Sequence, residues 1–200
     1  MTKTLEFVFD PAGPNAYLAW KALPPILERI GATLVYRPVS LGGLFKLTGN
    51  RPPLVRYADS PAKWAYEQLE FERFIAAHRI PFRMNPVFPQ NTLTLMRVAV
   101  ACEEAGSLDT FVPTAMAAMW EQERDLGDPH VIATMLGEAG LDGLALLARA
   151  AEQDIKDTLV AHTEAAAARG VFGVPTFFVG DEMFWGKERL AQVEAMLALG

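Results

Sequence analysis

The chain has 200 residues, about half of them hydrophobic, a net charge of −6 and a single cysteine. That length suits one domain, or one domain carrying a large insertion, with enough apolar sequence for a sizeable core. The negative charge and the lack of a basic stripe exclude a nucleic-acid partner; no apolar run approaches the roughly 18 residues that span a bilayer, and one cysteine excludes an internal disulfide.

Met1-Thr2-Lys3-Thr4-Leu5 leads into a strand-like segment without a signal-peptide core, so a soluble cytoplasmic protein is expected. Leu5 to Phe9 is apolar and aromatic, as a buried strand requires. It stops at the breaker cluster Asp10-Pro11-Ala12-Gly13-Pro14. Pro14 suits the first turn of a helix, and Tyr17, Leu18, Ala22, Leu23, Ile26, Leu27 and Ile30 keep helical spacing as far as Gly31. Pro24-Pro25 interrupts that pattern and predicts a kink or a restart. Thr33 to Pro38 is a second strand, which makes a βαβ unit with parallel strands.

From Ser40 to about Leu147 the pattern becomes helix after helix. Ser60-Pro61 predicts a helix to about Arg79, and Asn91 caps one ending near Ala105-Gly106. Asp109 opens another that reaches Leu126-Gly127; a short helix follows Pro129, and Asp142 starts the next. Ile80 to Asn91 holds three prolines and two aromatic residues and fits neither period. Gln153 to Arg169 is a helix stopped by Gly170.

The most informative stretch runs from Gly170 to Gly186. Thr176–Val179 and Glu182–Trp185 are two β-rich runs around a Gly180-Asp181 turn, a tight hairpin. Before them stands Val174-Pro175. Proline cannot donate to a sheet ladder, so it marks a strand start or an edge. The bond is either an ordinary trans pre-strand proline or cis, and a cis bond would turn the Val174 N–H and C=O outward to hold an extended peptide. Lys187 to Leu199 is an amphipathic helix.

The order is therefore β-α-β, a helical block, α, β-β, α. Without the block this is the α/β thioredoxin fold, with Val174-Pro175 where that fold carries its cis-proline. The expected division is a discontinuous thioredoxin-like domain, residues 1–40 plus 150–200, and an inserted all-helical domain, residues 41–149. The loop Ala12 to Asn15 then faces the proline across the sheet end, at a helix N-terminus whose N–H groups and dipole favour an anion.

Three blocks carry a resemblance to a known family. They are Phe9-Asp10 with Pro14-Asn15-Ala16-Tyr17-Leu18-Ala19; Leu41-Gly42-Gly43-Leu44-Phe45-Lys46 with Gly49-Asn50 and Pro52-Pro53; and Val171-Phe172-Gly173-Val174-Pro175-Thr176-Phe177 with Gly180 to Gly186 and Arg189-Leu190. Together they resemble the kappa-class glutathione transferases and 2-hydroxychromene-2-carboxylate isomerases, relatives of the DsbA oxidoreductases, over nearly the whole chain. The first two blocks match what that family uses as its first and second loops.

The resemblance implies glutathione as cofactor. Val174, beside Pro175, would pair with its cysteinyl backbone, and the turn Trp185, Gly186, Lys187, Glu188, Arg189 would hold its γ-glutamyl end. Lys46, Asn50, Arg56 and Phe88 would border a small aromatic carboxylate substrate, and a homodimer is implied. In the isomerase the glutathione thiolate adds reversibly to the conjugated substrate, permits rotation and is eliminated. Two positions depart from the pattern. Gly13 stands where the family has its thiol-activating serine, and Glu188 replaces an aspartate. Losing one donor to an anion costs roughly 1.5–3 kcal/mol; the helix terminus and the Asn15 side chain are the groups left to recover part of it.

The plainer readings stand beside these. Cys102, in an apolar helix, reads as a core cysteine. Dithiol redox chemistry would need cysteines at both ends of Gly13-Pro14-Asn15-Ala16, and neither is present. His78, His130 and His162 lack ligand spacing, so no metal is expected. Lys46, Arg51 and Arg56 read either as solvated surface residues or as ligand contacts. Trp185 reads as hairpin packing with a more interesting backbone, Tyr17 and Trp20 as core, and Asp10 as a structural carboxylate. The expected activity is a glutathione-dependent isomerase; the alternatives are a kappa-like transferase and a glutathione- or peptide-binding homologue without chemistry.

Overall fold

The computed structural model describes residues 3–199, so the expectation at Met1-Thr2 lies outside the described residues. Strand β1, Thr4–Phe9, leads through the Asp10–Gly13 loop into helix α1, Pro14–Ala22. Helix α2, Pro24–Ile30, restarts after Leu23, because neither Pro24 nor Pro25 has an N–H to continue the α1 ladder. Gly31 closes α2 in the left-handed conformation, φ 70°. Strand β2, Thr33–Pro38, then runs parallel to β1 with Thr4 opposite Thr33.

After a run of helices come β3, Thr176–Val179, antiparallel to β1, and β4, Glu182–Trp185, antiparallel to β3. The sheet order is β2-β1-β3-β4, the thioredoxin arrangement. The rings of Phe7, Phe9 and Phe177 stack on the two central strands, with centroids 5.4 to 5.7 Å apart. Each buried ring contributes roughly 1.5–3 kcal/mol. A 3-10 turn, Lys187–Arg189, leads into helix α11, Leu190–Leu199.

Between β2 and β3 lie α3, Leu41–Thr48; α4, Pro53–Arg56; α5, Pro61–His78; α6, Leu93–Glu104; α7, Leu108–Trp120; α8, Pro129–Glu138; α9, Gly143–Ala150; and α10, Gln153–Ala168. One buried cluster joins Leu5, Phe7 and Phe177 of the sheet to Met96, Phe111 and Trp120 of these helices, crossing both expected domain boundaries. Among the described residues no helix is long and apolar enough to cross a membrane.

Three local expectations need correction. The segment holding Lys46, matched to a family loop, is helix α3: the Ser40 hydroxyl accepts from the Gly43 N–H at 3.1 Å and Gly49, φ 69°, ends it. The helix opened by Asp109 does not reach Leu126. It ends at Trp120, where Glu121 and Gln122 both donate to the Ala117 carbonyl and Glu123 turns to φ 58°. Finally, Thr92 rather than Asn91 takes the N-cap position of α6; Asn91 Oδ1 accepts from the Leu93 N–H at 3.1 Å instead.

Candidate functional site

The C-terminal end of β1 is anchored by Asp10, only 1% exposed. Its Oδ1 accepts from the Ala12 N–H at 2.9 Å, and its Oδ2 from the Leu41 N–H at 2.9 Å and the Thr92 hydroxyl at 3.1 Å. One side chain thus ties the first loop to the starts of α3 and α6. Burial pushes its carboxyl pKa up, and the three donated hydrogen bonds pull against that. Every acceptor demand is met inside the fold, which agrees with a structural carboxylate.

Above it, Gly13 is the N-cap residue of α1 and makes no side-chain cap. Ala16 and Tyr17 donate back to the Gly13 carbonyl, Pro14 has no N–H, and the Asn15 N–H has no partner among the described residues. The Asn15 Oδ1 is buried and also without a hydrogen bond. The positive end of α1 is therefore open. Facing it is Val174. A Cβ built on Gly13 would stand 2.9 Å from Val174 Cγ2, closer than real contacts allow. Glycine here has a steric reason: the valine occupies the space a side chain would need.

The Val174–Pro175 bond is cis, and so is Phe88–Pro89, which the sequence reading did not anticipate. Among the described residues nothing pairs with the Val174 N–H or C=O. Its neighbours are satisfied: Thr176 Oγ1 donates to the Gly173 carbonyl at 2.7 Å and the Gly186 N–H donates to the Pro175 carbonyl at 3.0 Å.

Asn50 sits at one flank of this floor. Its Nδ2 donates to the Phe172 carbonyl at 2.8 Å, and its Oδ1 accepts from Arg56. Asn50 and Arg56 thus meet, and both join the loop before Pro175. Lys46 lies in the last turn of α3, exposed, with no ion-pair partner among the described residues. Trp185, 41% exposed, packs its ring against Phe172 with centroids 4.8 Å apart.

At Gly186, φ 99°, a Cβ would come within 2.8 Å of Glu188 Oε2, so the glutamate folds back over the turn. Its other oxygen pairs with Lys187, whose side chain is only 4% exposed and whose ammonium lies 5.4 and 5.9 Å from the ring centroids of Phe74 and Phe71 on α5. Lys187 thereby docks α5 onto the turn. Arg189 stays exposed, with its N–H on the Gly186 carbonyl at 3.2 Å.

The wall behind the first loop is aromatic. Trp120 Nε1 donates to the Pro11 carbonyl at 2.8 Å. Phe82 stacks on Trp120 at 5.5 Å, and Phe88, 38% exposed, lies 5.6 Å from the same ring. Tyr17 adds its ring 6.2 Å from Phe82, and burial, then Glu121, pushes its hydroxyl pKa far up. Sequence reasoning found Phe88 and missed Phe82 and Trp120. The contact of Trp120 with Pro11 spans 109 positions, and no local pattern encodes it. Cys102 is buried and its thiol is pushed up to about 11 by that burial.

The arrangement offers an edge for an extended peptide at Val174, an open helix terminus for an anion beside it, and an aromatic wall behind the first loop. Comparison with known proteins agrees in length and shape. A family model described as a DSBA-like thioredoxin domain matches residues 4–198. A 2-hydroxychromene-2-carboxylate isomerase of Pseudomonas putida is 30% identical, the match covering 96% of this chain and 93% of that protein. The human protein called glutathione S-transferase kappa 1 is 25% identical over 88% of this chain and 80% of its own. A solved structure of 2-hydroxychromene-2-carboxylate isomerase superposes with a TM-score of 0.82 at 26% identity, covering 98% of this chain and 95% of that one.

Proposed function

The chain belongs to the DsbA-like thioredoxin family, in the group formed by the 2-hydroxychromene-2-carboxylate isomerases and kappa-class glutathione transferases, and on that premise we propose that it is a glutathione-dependent isomerase of an aromatic oxo-acid. The observation that carries the reading is the open start of α1 at Gly13, packed against the side chain of Val174, whose own backbone N–H and C=O are unpaired among the described residues. The cleft suits glutathione on its own residues: Val174 offers one free donor and one free acceptor, Asn15 a free N–H, and Asn15 Oδ1 is buried without a partner.

When bound, glutathione supplies a thiolate that adds reversibly to a conjugated double bond and leaves again after rotation. Val174 would hold the cysteinyl backbone by strand-like pairing, next to the start of α1. There the Asn15 N–H and the helix dipole stabilise negative charge, in place of the hydroxyl that Gly13 lacks. The Trp185–Arg189 turn would take the γ-glutamyl end, with Glu188 held by Lys187 beside it. Lys46 and Arg56 would attract the substrate carboxylate, Asn50 would border it, and Phe88 would flank the ring. A cytoplasmic homodimer completes the proposal, with sedimentation as the check on the dimer.

Calorimetric titration with glutathione tests the binding step. Saturable binding that weakens on Val174→Pro supports it; no binding up to millimolar glutathione removes both enzyme readings. A kappa-like transferase would use the same groups on an electrophile that keeps the sulfur, so consumption of glutathione during turnover separates the two. The missing hydroxyl at Gly13 favours a third outcome, binding without chemistry, which stands if glutathione binds and no aromatic oxo-acid or electrophile is turned over.

A further inference from the structure

A second site lies apart from this cleft and shares no lining residue with it. Between α10 and the β1–β2 part of the sheet a groove of about 250 Å³ has Val8, Val39 and Phe178 in its floor. Charged residues at its rim are arranged unequally.

At one end two guanidinium groups share one carboxylate. Arg37 Nε donates to Glu6 Oε2 at 2.8 Å, while Arg169 Nη1 and Nη2 reach Oε2 and Oε1 at 3.2 and 3.3 Å. Two positive charges against one negative leave an excess, and the terminal nitrogens of Arg37 have no acceptor among the described residues. The Arg169 guanidinium carbon also lies over Phe178, 3.6 Å from the ring centroid, a cation–π contact that helps hold it in place. At the other end Glu103 Oε2 is 3.6 Å from His162 Nδ1, too long for a hydrogen bond, so that carboxylate remains free to accept one. His162 and Arg169 are two turns apart on α10, roughly 10 Å along its axis.

We infer that this groove binds a single-ring aromatic carboxylate carrying a hydroxyl at its far end. The carboxylate bridges Arg37 and Arg169, a geometry that guanidinium forks favour. The ring lies over Val8 and Val39, and the hydroxyl donates to Glu103. The groove's volume of about 250 Å³ accommodates a single ring. The inference is independent of the proposed isomerase activity.

The test is calorimetry of the full chain with para-hydroxybenzoate, with benzoate and phenol as partial ligands. Expected is one saturable site, weakened roughly tenfold by Arg37→Gln and several-fold by Glu103→Gln, with benzoate and phenol each binding less tightly than the parent probe. Arg169→Lys, which keeps the charge but loses the fork, should weaken binding as well and stands in if Arg37→Gln does not fold. Saturating glutathione and Asn50→Ala should leave the affinity unchanged. The inference is overturned by failure to saturate, by affinities that ignore the arginine substitutions, or by displacement with glutathione, which would place the ring in the main cleft.

Discussion

The floor of the cleft and its cover are built on opposite principles. The floor is over-determined: Asp10 alone receives three hydrogen bonds, and Gly13 and Val174 touch with no room for another carbon. The cover is not. None of the 18 residues of α5 is fully buried, whereas α6, at 12 residues, buries seven. The cover is held by a few contacts: Phe71 edge-on to Phe82 at 5.0 Å, the Lys187 ammonium under Phe71 and Phe74, and beside them the Asn50 bridge to the Phe172 carbonyl. The start of α1 and Val174 are fixed by packing and by the hydrogen bonds of Asp10, whereas Lys46, Arg56 and Phe88 are exposed and can change at little cost to the fold. Preorganisation belongs where charge must be stabilised; tolerance belongs where substrates differ.

The most severe break of that contrast is Asp10→Ala, which leaves the Ala12 N–H, the Leu41 N–H and the Thr92 hydroxyl without their acceptor. The expected loss is about 3 kcal/mol or more, read from the urea midpoint; a loss below about 1 kcal/mol would mean that the floor is not anchored there. The pH dependence has a definite sign. Burial raises the Asp10 pKa, so the folded state binds that proton more tightly than the unfolded chain. Its contribution is fully present below the ordinary carboxylate pKa and declines as pH rises through the raised value. Wild type should therefore lose stability relative to Asp10→Asn over that interval.

Next in size is Gly13, where alanine and serine must be compared with each other. Either adds the Cβ that meets Val174 Cγ2 at 2.9 Å, and overpacking of this kind costs roughly 1–3 kcal/mol. Serine alone also adds a donor, worth roughly 1.5–3 kcal/mol to a thiolate. Both variants should be less stable than wild type, and Gly13→Ser should ionise bound glutathione more than Gly13→Ala, as read by thiolate absorbance. Equal ionisation in the two would show that the hydroxyl has no access to the sulfur.

On the cover the effects shrink. Asn50→Ala removes the bond to the Phe172 carbonyl and should cost about 1 kcal/mol, raising KM for the aromatic acid more than it lowers kcat. Lys187→Met keeps the buried stem and loses a cation–π contact worth roughly 0.5–1 kcal/mol. It should speed hydrogen exchange in α5 while leaving α6 unchanged; equal acceleration in both would mean that the cover is part of the rigid floor. The smallest effect concerns Cys102. With its thiol pushed up to about 11 by burial, it should resist thiol reagents at pH 8 in the folded protein and react fully in denaturant.

Much of this was legible in the chain itself. Apolar or β-rich composition and turn chemistry marked all four strands, the prolines at 24 and 25 marked the restart between α1 and α2, and Gly170 marked the end of α10. Errors fell where local signals competed. The family resemblance matched Leu41–Lys46 to a loop, yet Ser40 capping and packing against α10 make a helix there; Gly43 would place a Cβ 3.1 Å from Thr163 Cγ2. Glu121 to Asp125 contains no breaker and extended the α7 pattern to Leu126, but the chain turns there so that Arg83 can donate to the Trp120 carbonyl at 2.7 Å and Asn85 to the Met119 and Arg124 carbonyls.

The sequence by itself determined the thioredoxin frame, the family resemblance and the position of Gly13, because periodicity, breakers and motif spacing are local properties. Tertiary structure alone decided that Val174 fills the space beside Gly13, that Lys187 is buried beneath α5, and that Phe82 and Trp120 back the first loop. Those are contacts between residues from about 40 to 160 positions apart. Their partners are chosen by which surfaces meet once the sheet and helices pack, and no window along the chain contains both sides of such a choice.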